Sequence, residues 1–364
     1  MCPKLSNSST DNPYWEFVVP LSLTSTPLFY ALLSWAANEA SMRGGPKRHT
    51  YRVAAASYKG RALHGLRHEI ASAQRDLTTT SETWASILTT IIMLSASDIA
   101  ETCSAAWVEH LRAARTLCSM VWPSRPALPD RFRRFCVMWF VSHDIMSRTA
   151  WIRQTLFEPS EWFSGDDVTE IDPIIACSRG VIQQVSAIGS FIAERREKDS
   201  TLFADHEDGS QRRRRNAIEA VLLSLEQRVA ARNHGCASTD ELLQVAESKR
   251  LCALIYLYAC IDYATPSSPV IQGLTRQVIG ILTNVPSKPS LIFPLFVVGT
   301  LGVCNEDDRR LVLDKFDSLI KVRSLATAVK AQDIVTNVWI ERDLGRHRRW
   351  EDLVETKSRL LSLA

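Results

Sequence analysis

The stretch Thr79-Thr80-Ser81-Glu82-Thr83-Trp84-Ala85-Ser86-Ile87-Leu88-Thr89-Thr90-Ile91-Ile92 sets the fold class. Trp84, Ile87, Leu88, Ile91 and Ile92 recur at steps of three and four, the spacing that lines up one face of an α-helix. Thr79 and Glu82 stand as a capping box ahead of that run. The pattern then repeats. Trp107, Leu111, Ala114, Cys118 and Val121 form a second stripe ending before Pro123, and Phe132, Phe135, Cys136, Trp139, Phe140 and His143 form a third. With Pro126 and Pro129 between them, these segments predict consecutive antiparallel helices.

The rest of the chain has the same period. Val181, Ile182, Val185, Ile188 and Ile192 predict one helix, and Ile218, Val221, Leu222, Leu225 and Val229 another. Leu251 to Tyr263 is apolar nearly all round, which predicts a central buried helix. Stripes at Ile271–Ile281, Leu311–Leu319 and Ile334–Trp339 follow. The expected architecture is all-α, a multi-helix domain of antiparallel packed helices, about twelve in number, with no segment whose period assigns it to a strand.

Arg195 to Asn216 breaks this regularity with a mixed charge run that ends in Arg212-Arg213-Arg214-Arg215. It reads as a surface loop at 199–215 joining lobes 12–198 and 216–364 within one domain of residues 1–364. Four adjacent guanidinium groups make a local positive patch, so Arg212, Arg213, Arg214 and Arg215 are a candidate nuclear import signal or nucleic-acid contact. A solvated charged loop, balanced by Asp205, Glu207 and Asp208, is the competing explanation.

Composition limits the chemistry. Gly and Pro number only 14 and 15 in 364 residues, which favours helices over turn-rich sheets. A formal charge of +3 is too small for the whole body to act as a polyanion surface. Nine cysteines are present, and the closest pair, Cys252 and Cys260, lies eight apart, so there is no CxxC from which to build a structural zinc site. They read as buried thiols of a reducing compartment. The uncharged stretch Pro289 to Asn305 is short and broken by Pro294, Gly299 and Gly302, and no membrane association is expected.

In order, three blocks resemble the fungal-specific transcription factor domain, in its acriflavine-sensitivity-control-like subfamily. The first holds Asn12-Pro13-Tyr14, Pro20-Leu21, Ser25-Thr26-Pro27-Leu28-Phe29-Tyr30 and Tyr58-Lys59-Gly60-Arg61-Ala62-Leu63. The second contains Trp107-Val108-Glu109-His110-Leu111-Arg112-Ala113-Ala114, the most specific single feature, and Phe140-Val141-Ser142-His143-Asp144. The third runs through Ile171-Asp172-Pro173, Leu254-Ile255-Tyr256-Leu257-Tyr258, Pro294-Leu295-Phe296-Val297-Val298-Gly299-Thr300 and Val338-Trp339-Ile340-Glu341-Arg342-Asp343 before Trp350.

The resemblance implies a nuclear regulator of transcription, in families that often serve nutrient use or secondary metabolism. It acts through other transcription factors or co-regulators, with a homodimer among the expected assemblies. It implies no enzyme, catalytic residue, cofactor or bound metal. The family's six-cysteine zinc cluster, with its two CxxC pairs, has no counterpart before Asn12, so contact with DNA is expected only indirectly unless a cluster is supplied from outside this sequence.

Other residues carry competing chemistry. His64 and His68 are four apart on one helical face, but a metal needs a third ligand, and Glu69 is not placed as in HExxH. Asp166-Asp167-Val168-Thr169-Glu170 matches the DDxxE form by which helical terpene cyclases hold magnesium, the sharpest enzymatic alternative; a helical scaffold unrelated to transcription is another. His143 and Asp144 diverge on a helix, and Gly299-Thr300-Leu301-Gly302 lacks the lysine of a phosphate loop. Ten tryptophans are explained first by core packing and, more sharply, by an aromatic cavity for a small hydrophobic effector.

Overall fold

The computed structural model describes residues 12–76, 79–122, 128–150, 155–163, 165, 167–199, 209–230, 239–322, 325–346, 352 and 361–364. Fourteen α-helices and a single two-stranded hairpin are found among the described residues. Two compact units divide the chain: Met1–Val141 with Ser324–Ala326, and Ser142–Arg323 with Thr327–Ala364. The division falls inside a helix, away from the charged run at 199–215 where the sequence suggested a lobe boundary.

The first unit begins with one π-helical turn, Tyr14–Val18, continued by α1 (Val19–Thr24). α2 (Thr26–Met42) and α3 (Arg48–Arg75) form a hairpin. Ser25 caps α2 by accepting the Leu28 N–H at 3.3 Å, with proline in the first turn where its missing donor costs nothing. Gly44 and Gly45 turn the chain between these helices with φ of 77° and 97°, values that suit only glycine well. The Ser34 hydroxyl donates to the Ala55 carbonyl at 2.9 Å and ties the two helices together.

Next come α4 (Ser81–Glu101), α5 (Ala106–Val121) and α6 (Asp130–Ala150), which runs through the division. Thr80, one residue later than the sequence suggested, caps α4 by accepting the Thr83 N–H at 3.3 Å. α4 is not amphipathic, as its apolar stripe had implied: 16 of its 21 residues are buried. Its hydroxyl face survives burial because Thr89, Thr90 and Ser95 each donate to the carbonyl four residues back. With mean hydropathy of 1.3, this helix is long and apolar enough to cross a membrane, yet 89% of its most apolar window is buried within the protein. The start of α6 meets the N-terminal turn in an aromatic cluster, with Tyr14 edge-on to Phe135 at 5.4 Å and Phe17 edge-on to Phe132 at 5.3 Å.

In the second unit the Asp144 carboxylate, fully buried near the end of α6, accepts the N–H groups of Leu156 and Phe157 at 2.7 and 2.9 Å. α7 (Pro159–Trp162) follows, and then β1 (Ile171–Asp172) and β2 (Cys177–Ser178) pair antiparallel. With two residues in each strand, this hairpin leaves the all-α architecture as expected. Asp172 makes it by accepting the Ile174 N–H at 2.9 Å, and Ala176 closes it at φ 50°.

α8 (Arg179–Asp199) and α9 (Gly209–Ser224) place Asp199 and residues 209–215 of the expected charged loop in helices, and residues 200–208 lie outside the described residues. α10 (Thr239–Cys260) is the core of this unit and packs against α8, α9, the hairpin, α11 (Pro269–Asn284) and α12 (Ile292–Val297). As its apolar run predicts, Leu251 to Leu257 are all buried. Tyr263, counted as part of that run, lies beyond the helix end at φ 54° and is 55% exposed. A π-helical turn, Val298–Gly302, and then α13 (Glu306–Val322) and α14 (Ala326–Asp343) complete the fold.

Candidate functional site

In the first unit, a groove of about 620 Å³ runs along α2 and α3, lined on one side by Thr26, Pro27 and Tyr30 and on the other by Gly60, Arg61 and Glu69 among others. The Tyr30 and Tyr58 rings stack with centroids 6.0 Å apart, and the Arg61 guanidinium sits 5.4 Å from the Tyr30 centroid, donating to its hydroxyl at 3.3 Å. Gly65 is required here: a Cβ on it would come within 2.7 Å of Pro27 Cγ, so only glycine lets α3 approach the start of α2. His64 and His68 are exposed at the groove's edge. Among the described residues no three metal-binding side chains converge, there or elsewhere.

Glu69, passed over in the sequence as a misplaced HExxH glutamate, is the unusual group of that groove. Its Oε2 is buried without a hydrogen-bond partner. Burial holds its carboxyl above the ordinary range, with no opposing charge close enough to offset the shift.

A second cluster joins residues from two of the resemblance blocks. Asp98 of α4 is 1% exposed and receives the Lys59 ammonium from α3, while His110 Nε2 of α5 lies 3.2 Å from its other oxygen. Burial would raise the Asp98 pKa, but the hydrogen bonds and charges of His110 and Lys59 outweigh it and hold the carboxyl below its usual value. Cys103, at φ 46°, donates its N–H to the Asp98 carbonyl at 2.8 Å and fixes the turn into α5. The cluster clamps three helices. It is charge-balanced, and Asp98 itself gave no signal in the sequence because it sits at the end of an apolar run.

The four arginines do not act as one patch. Arg214 pairs with Glu194 at 2.7 Å and lies over the Phe191 ring. Arg215 pairs with both Asp262 and Glu219 and lies over Tyr258, whose hydroxyl donates to Glu219 at 2.7 Å. These acids hold the Arg215 guanidinium even more firmly charged than usual. Arg212 and Arg213 are exposed and form no ion pair with a described residue. Arg214 and Arg215 are thus the two members of the run already paired with described acids.

Asp167 is committed. One carboxylate oxygen accepts the Thr169 N–H, the Thr169 hydroxyl and the Glu170 N–H at 2.8 to 3.2 Å, and the other accepts from Arg228 at 2.9 Å. The Thr169 bonds, first, and Arg228 depress its pKa strongly. Such a carboxylate is an end-of-turn cap, and Asp166 lies outside the described residues.

The Gly299–Gly302 stretch is a π-turn whose carbonyls are met by side chains of the last resemblance block. Trp339 Nε1 donates to the Gly299 carbonyl at 2.8 Å, and Arg342 donates to that of Thr300. Both glycines are sterically required: a Cβ at 299 would meet Val335 Cγ1 at 2.8 Å, and one at 302 would meet Thr275 Oγ1 at 2.4 Å. Sequence reasoning also missed Lys249, which is fully buried in α10 and donates to the Ile175 carbonyl, clamping the hairpin; burial lowers its pKa.

The sequence matches the family described as "Fungal specific transcription factor domain" over residues 1–364, and the chain belongs to that family of transcriptional regulators. No curated protein matches it significantly. Neither does any solved structure.

Proposed function

We propose that this chain regulates transcription in the nucleus without catalysing a reaction, through contacts with other transcription factors or co-regulators and in response to a small effector. The observation that carries the reading is the family match over the whole length. Supporting it, Asp167, one of the residues that could have carried magnesium chemistry, makes four hydrogen bonds within its own turn and to Arg228. The outward-facing Arg212 and Arg213 suit an import receptor, which reads short basic runs. A homodimer fits the same reading, and DNA is reached through partners unless a zinc cluster is joined to the chain.

The test is transcript profiling after deletion of the gene and its restoration as wild type or as Asp167→Ala. A shared set of transcripts should change on deletion and recover with both versions. Turnover of a prenyl diphosphate by purified wild-type protein, lost in Asp167→Ala, would establish the enzymatic reading in its place.

A further inference from the structure

We propose that the α2–α3 groove binds a small organic amine, with Glu69 as counter-ion to its ammonium group and its apolar body against Pro27, Tyr30 and the bare backbone at Gly60. The proposal deepens the effector reading above and rests on it only for its biological sense.

The cavity, about 620 Å³, is of the size that small-molecule sites occupy. Its exposed surface is mostly apolar, and its polar side chains are Thr26, Ser57, Arg61, His64, His68 and Glu69. Of these, the Arg61 guanidinium is engaged by the Tyr30 ring and hydroxyl. Glu69 is not engaged at all on one side, because Oε2 is shielded from solvent and accepts no hydrogen bond.

A buried acceptor of this kind gains most from a charged donor, since charge-assisted hydrogen bonds are roughly twice as strong as neutral ones. An ammonium supplies both the donor and the missing opposite charge. A ligand carboxylate would set a second anion beside the first, and a neutral hydroxyl would supply the donor without the charge.

Gly60 points to an occupant independently. The other groove glycine, Gly65, is explained by its contact with Pro27, but a Cβ on Gly60 would meet nothing within 4 Å. Glycine weakens a helix interior by about 1 kcal/mol relative to alanine, and neither φ nor packing within the chain calls for it at this position. What it does is keep the floor of the groove open.

The test uses the full chain and three matched probes: phenethylamine, 3-phenylpropionate and 2-phenylethanol, titrated at neutral pH by calorimetry and ligand-detected NMR. Phenethylamine should bind at least about tenfold more tightly than either analogue, given the added ion pair. Glu69→Gln should lose most of that preference. Gly60→Leu, which fills the groove from a position open to a side chain, should abolish binding while the circular dichroism spectrum and melting temperature are kept. No binding of phenethylamine to folded protein, equal binding of the three probes, or unchanged binding to Gly60→Leu would each overturn the proposal. Binding that leaves reporter transcription unchanged would keep the site and sink the effector reading; a reporter that responds to an amine the groove does not bind would do the opposite.

Discussion

Replacing Trp107 by alanine should destabilise the first unit by several kcal/mol. The ring is 0% exposed in the first turn of α5, and α5 packs along the buried helix α4. A buried aromatic side chain removes roughly 150 to 250 Å² from water, which at about 25 cal/mol per Å² corresponds to roughly 4 to 6 kcal/mol. The alanine Cβ retains a part of this, and the cavity left behind adds to the loss, so about 3 to 5 kcal/mol is expected. At roughly 3 °C per kcal/mol for a unit of this size, the melting temperature should fall by about 10 °C. Thermal unfolding followed by circular dichroism reads it, with Trp15→Ala as control, because Trp15 is 53% exposed and should cost much less. A Trp107→Ala midpoint within about 2 °C of wild type would show that the ring is a recognition surface rather than core.

Four further outcomes follow from the same contacts. Asp98→Ala leaves the buried end of Lys59 and His110 without their acid and should cost about 3 kcal/mol. Because the folded Asp98 pKa is depressed, its contribution is complete above about pH 4 and fades as acid protonates the folded carboxylate below that. Melting points taken from pH 7 downward should therefore drop more steeply for wild type than for Asp98→Asn. Changing Arg212 and Arg213 together to glutamine should reduce nuclear accumulation of a fluorescent fusion without altering its melting, whereas Arg215→Gln should cost about 1 kcal/mol of stability through its pairs with Asp262 and Glu219. Gly299→Ala should destabilise by about 1 to 3 kcal/mol by driving a methyl into Val335, as chemical denaturation would register.

Much of the helical fold is legible in the residues themselves. Stripes such as Trp107, Leu111, Ala114 and Cys118 name both the helix and its buried face, because a helix half covered by its neighbours needs that spacing. α4 was legible as a helix but not as a fully buried one, since serine and threonine read as solvent-facing until their hydroxyls are seen bonded to the helix's own carbonyls. The charged segment misled in the opposite sense. Arg212 to Arg215 look like a loop by charge density, yet α9 forms because acids distant in sequence, Glu194 and Asp262, neutralise two of them. The hairpin at Ile171–Ser178 is too short for any period to announce.

The groove was less legible still. His64, His68 and Glu69 drew notice for a metal they do not assemble, while Tyr30 and Tyr58, 28 positions apart, meet only once α2 and α3 fold back on each other. Local sequence carries helical faces well and carries little about which loop-separated faces will meet.

The regulatory role is tested most directly by tethering. The full chain fused to an unrelated DNA-binding module should change transcription from a promoter bearing that module's site, and the change should vanish in Trp107→Ala, whose core is broken. A folded, nuclear, promoter-bound fusion that leaves transcription at the level of the module alone would contradict the account.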